Sequence, residues 1–209
     1  VLAIIGLVAV DLGGRQRRVL VQPADQAVAH EVQVGGPHGI EASVAIRGLF
    51  SVTMVERDPT RTLELMTGLL GYHVVNEAEG RIRVAVNGDL PGHTIDILHD
   101  PDAEPAMNGL GTVHHVAMAI ATDEEQLEMR DELIKWGSRV TEVRDRCYFR
   151  SIYFREPGGV LFELATDGPG FAADEAPEHL GETLVLPPWL EPSRPAIERA
   201  LPQLDPPSS

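Results

Sequence analysis

At 209 residues, 43% apolar and 23% charged, the chain has the composition of a soluble globular protein with length for one or two domains and a sizeable core. Its 17 basic against 32 acidic residues give a formal charge of −15, which argues against nucleic acid or an anionic membrane as partner, since both demand clustered Lys and Arg. One cysteine, Cys147, excludes an intrachain disulfide and fits a reducing cytoplasm.

The opening Val1–Val10 is apolar, but no basic segment precedes it and it is too short to span a bilayer, so it reads as a strand or frayed sequence. Residues 17–34 read as strand, turn, strand about Pro23-Ala-Asp25, and Gly35–Gly39 as a linker. From Ile46 a complete unit begins. Leu49–Val55 alternates as a strand, Asp58-Pro59 supplies an N-cap and first helical residue, Leu63, Met66 and Leu70 recur at helical spacing, and Gly71 closes the helix. Tyr72–Asn76, Arg81–Val86 and His93–Leu98 follow as strands, giving the order β-α-β-β-β.

The same order recurs from Thr112. Val113–Ile120 is a strand, and Thr122 with Glu125 forms a capping box. Leu127, Met129, Leu133, Ile134 and Trp136 are the expected buried face of a helix that Gly137 ends. Arg139–Arg144, Tyr148–Arg155 and Val160–Thr166 are the returning strands. Two such units constitute an internal repeat, the signature of an α+β fold of paired modules. From residue 168 the chain becomes proline-rich, a surface tail with Trp189 as its expected anchor and a short helix near Ala196–Leu201.

Alternation assigns faces. Val116, Met118 and Ile120 form a bulky face, opposite His115, Ala117 and Ala119; Phe162 and Leu164 form the matching bulky face, opposite Leu161, Glu163 and Ala165. His115 and Glu163 thus emerge on one side of one sheet, away from the helices. A buried carboxylate needs a partner, and a metal shared with the histidine is one. The plainer alternatives are a structural histidine and a glutamate paired with Arg144, Arg146 or Arg150.

At these residues the sequence resembles the vicinal oxygen chelate superfamily, which includes glyoxalase I, extradiol dioxygenases and bleomycin-resistance proteins. His115-Val-Ala-Met-Ala-Ile120 matches the first-strand ligand motif and Glu156-Pro-Gly-Gly-Val-Leu-Phe-Glu163-Leu the last-strand motif. The run Val143–Gly159 and the segment Leu186-Pro-Pro-Trp-Leu-Glu191 resemble the ring-cleaving dioxygenases related to hydroquinone 1,2-dioxygenases. The resemblance implies paired βαβββ modules forming open cups, and Fe(II), with Mn(II) as the other candidate, held by two histidines and a carboxylate. It makes His115 and Glu163 metal ligands, and gives His114, Arg146 and Tyr153 substrate-contacting or supporting roles. Arg146 would hold a phenolate oxygen and Tyr153 would donate a hydrogen bond. A three-residue Pro-Gly-Gly turn puts Tyr153 opposite Glu163; a four-residue turn puts it opposite Phe162.

The resemblance divides the chain into 1–45, the end of a preceding module plus linker; 46–105, a module with Ser51 and Asp96 at degenerate ligand positions; 106–167, the ligand-bearing module; and 168–209, the tail. Glu31 falls where Glu163 falls in its module. The family's other histidine lies on a first module that this chain does not contain, so a missing N-terminal module or a second copy is expected to supply the third ligand. The expected activity is cleavage of a small aromatic diol by O₂. The alternatives are a glyoxalase-I-type lyase or isomerase, with Asp96 as second carboxylate ligand, and a non-catalytic bleomycin-resistance-like binding protein.

Overall fold

The structure, a computed structural model, describes residues 3–4, 20–21, 49–88, 90–104 and 113–202. Glu31 and most of the expected strand-turn-strand at 17–34 lie outside the described residues. The chain divides into two compact units, Val1–Asp167 and Gly168–Ser209.

The first unit holds two five-stranded sheets. One takes four strands from β3 (Leu49–Glu56), β4 (His73–Ala78), β5 (Arg81–Ala85) and β6 (Thr94–His99), with α1 (Thr60–Gly68) after β3. The other uses β7 (Val116–Ala119), β8 (Arg144–Asp145), β9 (Arg150–Arg155) and β10 (Leu161–Ala165), with α2 (Asp123–Trp136) after β7. Two-residue strands add an edge to each: β1 (Ala3–Ile4) pairs antiparallel with β7, and β2 (Leu20–Val21) with β3. In both sheets the first strand of the βαβββ module lies parallel to the last, β3 beside β6 and β7 beside β10. The fold class is therefore α+β, built from βαβββ modules.

One apolar cluster joins the two modules, running from Met54, Leu65 and Ile97 to Met118, Phe154 and Phe162. Phe154 and Phe162 meet edge to face with ring centroids 5.8 Å apart. Burying each such ring contributes on the order of 1.5–3 kcal/mol. This helix-side cluster fixes the register, so Glu163 must face the other way.

Several local expectations are corrected. Asp58 stands one residue before the helix cap, its Oδ1 accepting from Thr60 N at 3.0 Å, and α1 ends at Gly68, with Gly71 (φ 76°) turning the chain into β4. In α2, Thr122 does cap Glu125 N, at 3.1 Å, and Gly137 ends the helix with φ 106°. Its buried stripe, however, runs through Gln126 and Leu133, while Leu127 is 51% and Ile134 45% exposed. Each of those two follows a buried residue by one position, about 100° round the helix. Gln126 is buried because its amide donates to Arg150 O and Leu164 O, both at 2.9 Å.

The strand expected over Arg139–Arg144 reduces to a single bridge, Val140 with Phe154, and the short β8. Thr141 substitutes for a regular ladder there, its backbone N–H donating to Tyr153 O and its hydroxyl oxygen accepting from Tyr153 N. The strand expected over Val113–Ile120 is regular only from Val116.

Among the described residues the second unit contains three 3₁₀ turns and α3 (Arg194–Ala200). Trp189, the expected anchor, is 66% exposed. Among the described residues no helix is long and apolar enough to cross a membrane.

Candidate functional site

The parallel pairing of β7 with β10 sets Glu163 opposite Ala117. His115, two residues before Ala117, therefore shares the face of Glu163. The imidazole Nε2 comes 2.8 Å from Glu163 Oε2. Across the other edge of β10, the antiparallel register puts Tyr153 directly opposite Glu163, which resolves the alternative left open by the turn length. The Tyr153 hydroxyl donates to Glu163 Oε1 at 2.7 Å, and the buried Ser151 hydroxyl donates to the same oxygen. Arg146 Nε donates to Tyr153 Oη at 3.2 Å, with its guanidinium 5.2 Å from the ring centroid. His114 Nδ1 lies 2.9 Å from His115 Nδ1. All five residues singled out in the sequence thus form one cluster. Ser151 is the member that sequence reasoning missed, since a serine in an alternating strand gives no signal of its own.

Local backbone explains why Arg146 arrives there. The β8–β9 turn is pinned by Arg146 N to Phe149 O at 2.9 Å and Cys147 N to Asp145 Oδ1 at 2.8 Å, with Cys147 in the left-handed region at φ 67°. Arg146 and His114 are exposed, His115 and Tyr153 half-buried, and Glu163 buried, so the cluster runs from surface to sheet.

Burial raises the Glu163 carboxyl, but His115, Ser151 and Tyr153 outweigh that and hold it below the usual carboxylate range. Burial, then the bond to Glu163, push the Tyr153 phenol up, so it stays protonated and donates. Glu163 is therefore an anion with one oxygen saturated by two hydroxyl donors and the other facing an imidazole.

That second oxygen decides what the site can hold. The short Oε2–Nε2 approach is not in line for a hydrogen bond, and Nε2 is buried with no hydrogen-bond partner among the described residues. When His115 Nδ1 donates to His114, the Nε2 lone pair points past Glu163 Oε2 rather than at it, so the two atoms are placed to share one cation beside them. A neutral imidazole nitrogen and a carboxylate oxygen are suitable donors for a divalent transition metal. Among the described residues no group of three or more His, Cys, Asp and Glu side chains gathers round one point, and those at this one are a single imidazole and a single carboxylate.

The corresponding wall of the other module differs. Asp96 pairs with Thr53 and Arg83 as Glu163 pairs with Ala117 and Tyr153, so Ser51 stands where His115 does. Asp96 is fully buried but receives Arg83 Nε at 2.7 Å, Arg83 Nη2 at 2.8 Å and Arg81 Nη1 at 2.8 Å. Burial raises its carboxyl, and these two arginines more than reverse that. Ser51 Oγ is buried with no hydrogen-bond partner among the described residues.

Comparison with known proteins agrees with this architecture. The chain is 42% identical over 162 residues to "Putative ring-cleaving dioxygenase MhqO" of Bacillus subtilis (strain 168), covering 78% of this chain and 51% of that one. It is 38% identical over 100 residues to the chlorohydroquinone/hydroquinone 1,2-dioxygenase of Sphingobium indicum, covering 46% and 31%. A crystal structure of a "putative dioxygenase" from Bacillus subtilis superposes with a TM-score of 0.75 at 40% identity, over 80% of this chain and 53% of that one. The chain thus spans about half the length of these curated Bacillus subtilis relatives. The family described as Glyoxalase/Bleomycin resistance protein/Dioxygenase superfamily matches residues 48–164, from the first strand of one module to the last of the next, and the chain belongs to that superfamily.

Proposed function

We propose that this chain carries the metal-binding wall of a ring-cleaving dioxygenase that acts on a hydroquinone- or catechol-like diol with O₂. Fe(II) is the proposed ion and Mn(II) its alternative. The observation that carries this reading is the buried His115 Nε2 set against Glu163 Oε2 without a hydrogen bond between them, beside a guanidinium and a phenol. The likeness to a chlorohydroquinone/hydroquinone 1,2-dioxygenase supports the substrate class. A third ligand would come from beyond the described residues, on a preceding module or a second copy.

When bound, the metal would supply a Lewis-acidic, redox-active centre at which diol and O₂ meet. The chain's own residues set the conditions. Ser151 and Tyr153 hold Glu163 Oε1, leaving Oε2 as the ligating atom. His114 engages His115 Nδ1 and so directs the Nε2 lone pair inward. Arg146, exposed at the mouth, would bind the deprotonated diol oxygen, and Tyr153, its proton on Glu163 Oε1, would hold that guanidinium in place through its hydroxyl oxygen. Ring opening inserts both atoms of O₂, so the product is a ring-opened carboxylic acid.

A glyoxalase-I-type reading would enlist Asp96, but that carboxylate is committed to Arg81 and Arg83. Oxygen uptake by the Fe(II)-loaded protein tests the proposal. Uptake matched to hydroquinone consumed, and abolished in Glu163→Gln, is expected. Conversion of a hemithioacetal without oxygen, or diol binding that survives metal removal with no uptake, would overturn it.

A further inference from the structure

On the helix side of the fold, away from Glu163, a pocket of about 420 Å³ opens between the two modules. Its volume lies within the range of about 300–1,000 Å³ usual for small-molecule sites. Arg61 of α1, Arg139 after α2 and Arg155 of β9 line it, together with Trp136 and Pro157, and no Asp or Glu does. In a chain with 32 acidic and 17 basic residues, an acid-free pocket holding three arginines is a marked local reversal of charge.

The three guanidiniums retain most of their donors. Arg155 Nη1 donates to the uncharged Gly159 carbonyl at 2.6 Å, which braces the side chain without neutralising it. Arg61 lies over the Trp136 ring, 4.9 Å from its centroid, and its carboxylate partner Glu64 is more than half exposed at 3.3 Å. Arg139 has no hydrogen bond or ion pair among the described residues. The forked guanidinium matches a carboxylate with two parallel hydrogen bonds, and the indole and proline add an apolar wall.

We propose that this pocket binds a small organic carboxylate, gripped by Arg139 and Arg155 with its apolar part against Trp136. The apolar wall favours an organic anion over inorganic phosphate. The site is distinct from the His115–Glu163 wall and does not depend on a metal.

The chain has two tryptophans, so a Trp189→Phe background leaves Trp136 as the sole indole reporter. Benzoate is titrated into this metal-free protein, in chelating-resin-treated buffer at constant ionic strength. A saturable change in Trp136 emission is expected in the millimolar range. It should weaken at least about tenfold in Arg139→Gln/Arg155→Gln, the loss of two charge-assisted contacts, with unchanged far-UV circular dichroism. Arg139→Gln alone, which leaves the Gly159 brace intact, should weaken it too. No saturable change, equal binding by the arginine variants, or the same response to phosphate or chloride would overturn the proposal.

Discussion

The two modules bury a carboxylate at the same point of the same fold, Asp96 in one and Glu163 in the other, and balance its charge differently. Asp96 carries its counter-charge on the strand beside it, where Arg81 and Arg83 occupy both its oxygens. Glu163 has tyrosine and serine hydroxyls on one oxygen and a half-buried imidazole at the other. A unit charge pair at 4 Å is worth about 4 kcal/mol at an effective dielectric constant of 20. Two guanidiniums on Asp96 would thus repel a divalent ion strongly, whereas among the described residues no guanidinium bonds Glu163 directly and Arg146 reaches it only through Tyr153. What separates the candidate metal wall from its structural twin is the residue opposite the carboxylate, Tyr153 against Arg83, as much as His115 against Ser51.

The largest effect expected from breaking this symmetry is on stability in the arginine-balanced module. Asp96→Ala leaves two guanidiniums partly buried and unpaired. Because both remain partly exposed, the loss should be nearer 2 kcal/mol than the roughly 3–5 kcal/mol of a fully buried pair. Urea unfolding measures this, and an unchanged midpoint would mean the arginines simply turn to solvent.

Next in size is Ser151→Ala. Removing one of the two donors on Glu163 Oε1 frees that carboxylate to rotate, so metal affinity should fall about tenfold or more while the fold persists. Titration calorimetry with Mn(II) reads it directly. An affinity equal to that of the unsubstituted protein would leave Tyr153 as the sole anchor.

A separate, pH-dependent effect concerns the seam where the modules meet. The Glu56 carboxyl is buried beside Gly158, whose missing Cβ makes the room, and both its oxygens lack a hydrogen bond among the described residues. Its neighbour Glu156 is by contrast fully served by Thr62 Oγ1 at 2.5 Å, Gly158 N at 2.7 Å and Val160 N at 2.6 Å. Burial, then the charge of Glu156, push Glu56 up to about 7. The folded chain therefore holds a proton that an unfolded carboxyl of 4.5 releases, so this contribution to stability is fully present below pH 4.5 and lost as pH rises through about 7. The melting temperature of Glu56→Gln relative to the unsubstituted chain should accordingly rise from pH 5 to pH 8. A constant difference would mean Glu56 ionises normally.

Much of this was legible in the sequence, for identifiable reasons. Period-two alternation in Val116–Ile120 and Leu161–Ala165 fixed the face of His115 and Glu163, because a wrong register would bury the carboxylate among Met118, Phe154 and Phe162. The Arg81–Arg83 pair was legible but passed over: two arginines at i and i+2 must share a face, and Asp96 lies in the next strand. Other features depend on tertiary partners. Gln126 displaces Leu127 from the buried stripe only because the sheet presents two carbonyls to it, and Tyr153 meets Glu163 only through a turn whose length the residues left open.

The central claim is that Glu163, and not its twin Asp96, holds a metal. Anaerobic Fe(II) titration of the unsubstituted chain, Glu163→Gln and Asp96→Asn tests it most directly. One site per chain is expected in the unsubstituted and Asp96→Asn proteins, and at least about a hundredfold weaker binding in Glu163→Gln. Metal content unchanged in Glu163→Gln, or lost equally in Asp96→Asn, would contradict the account.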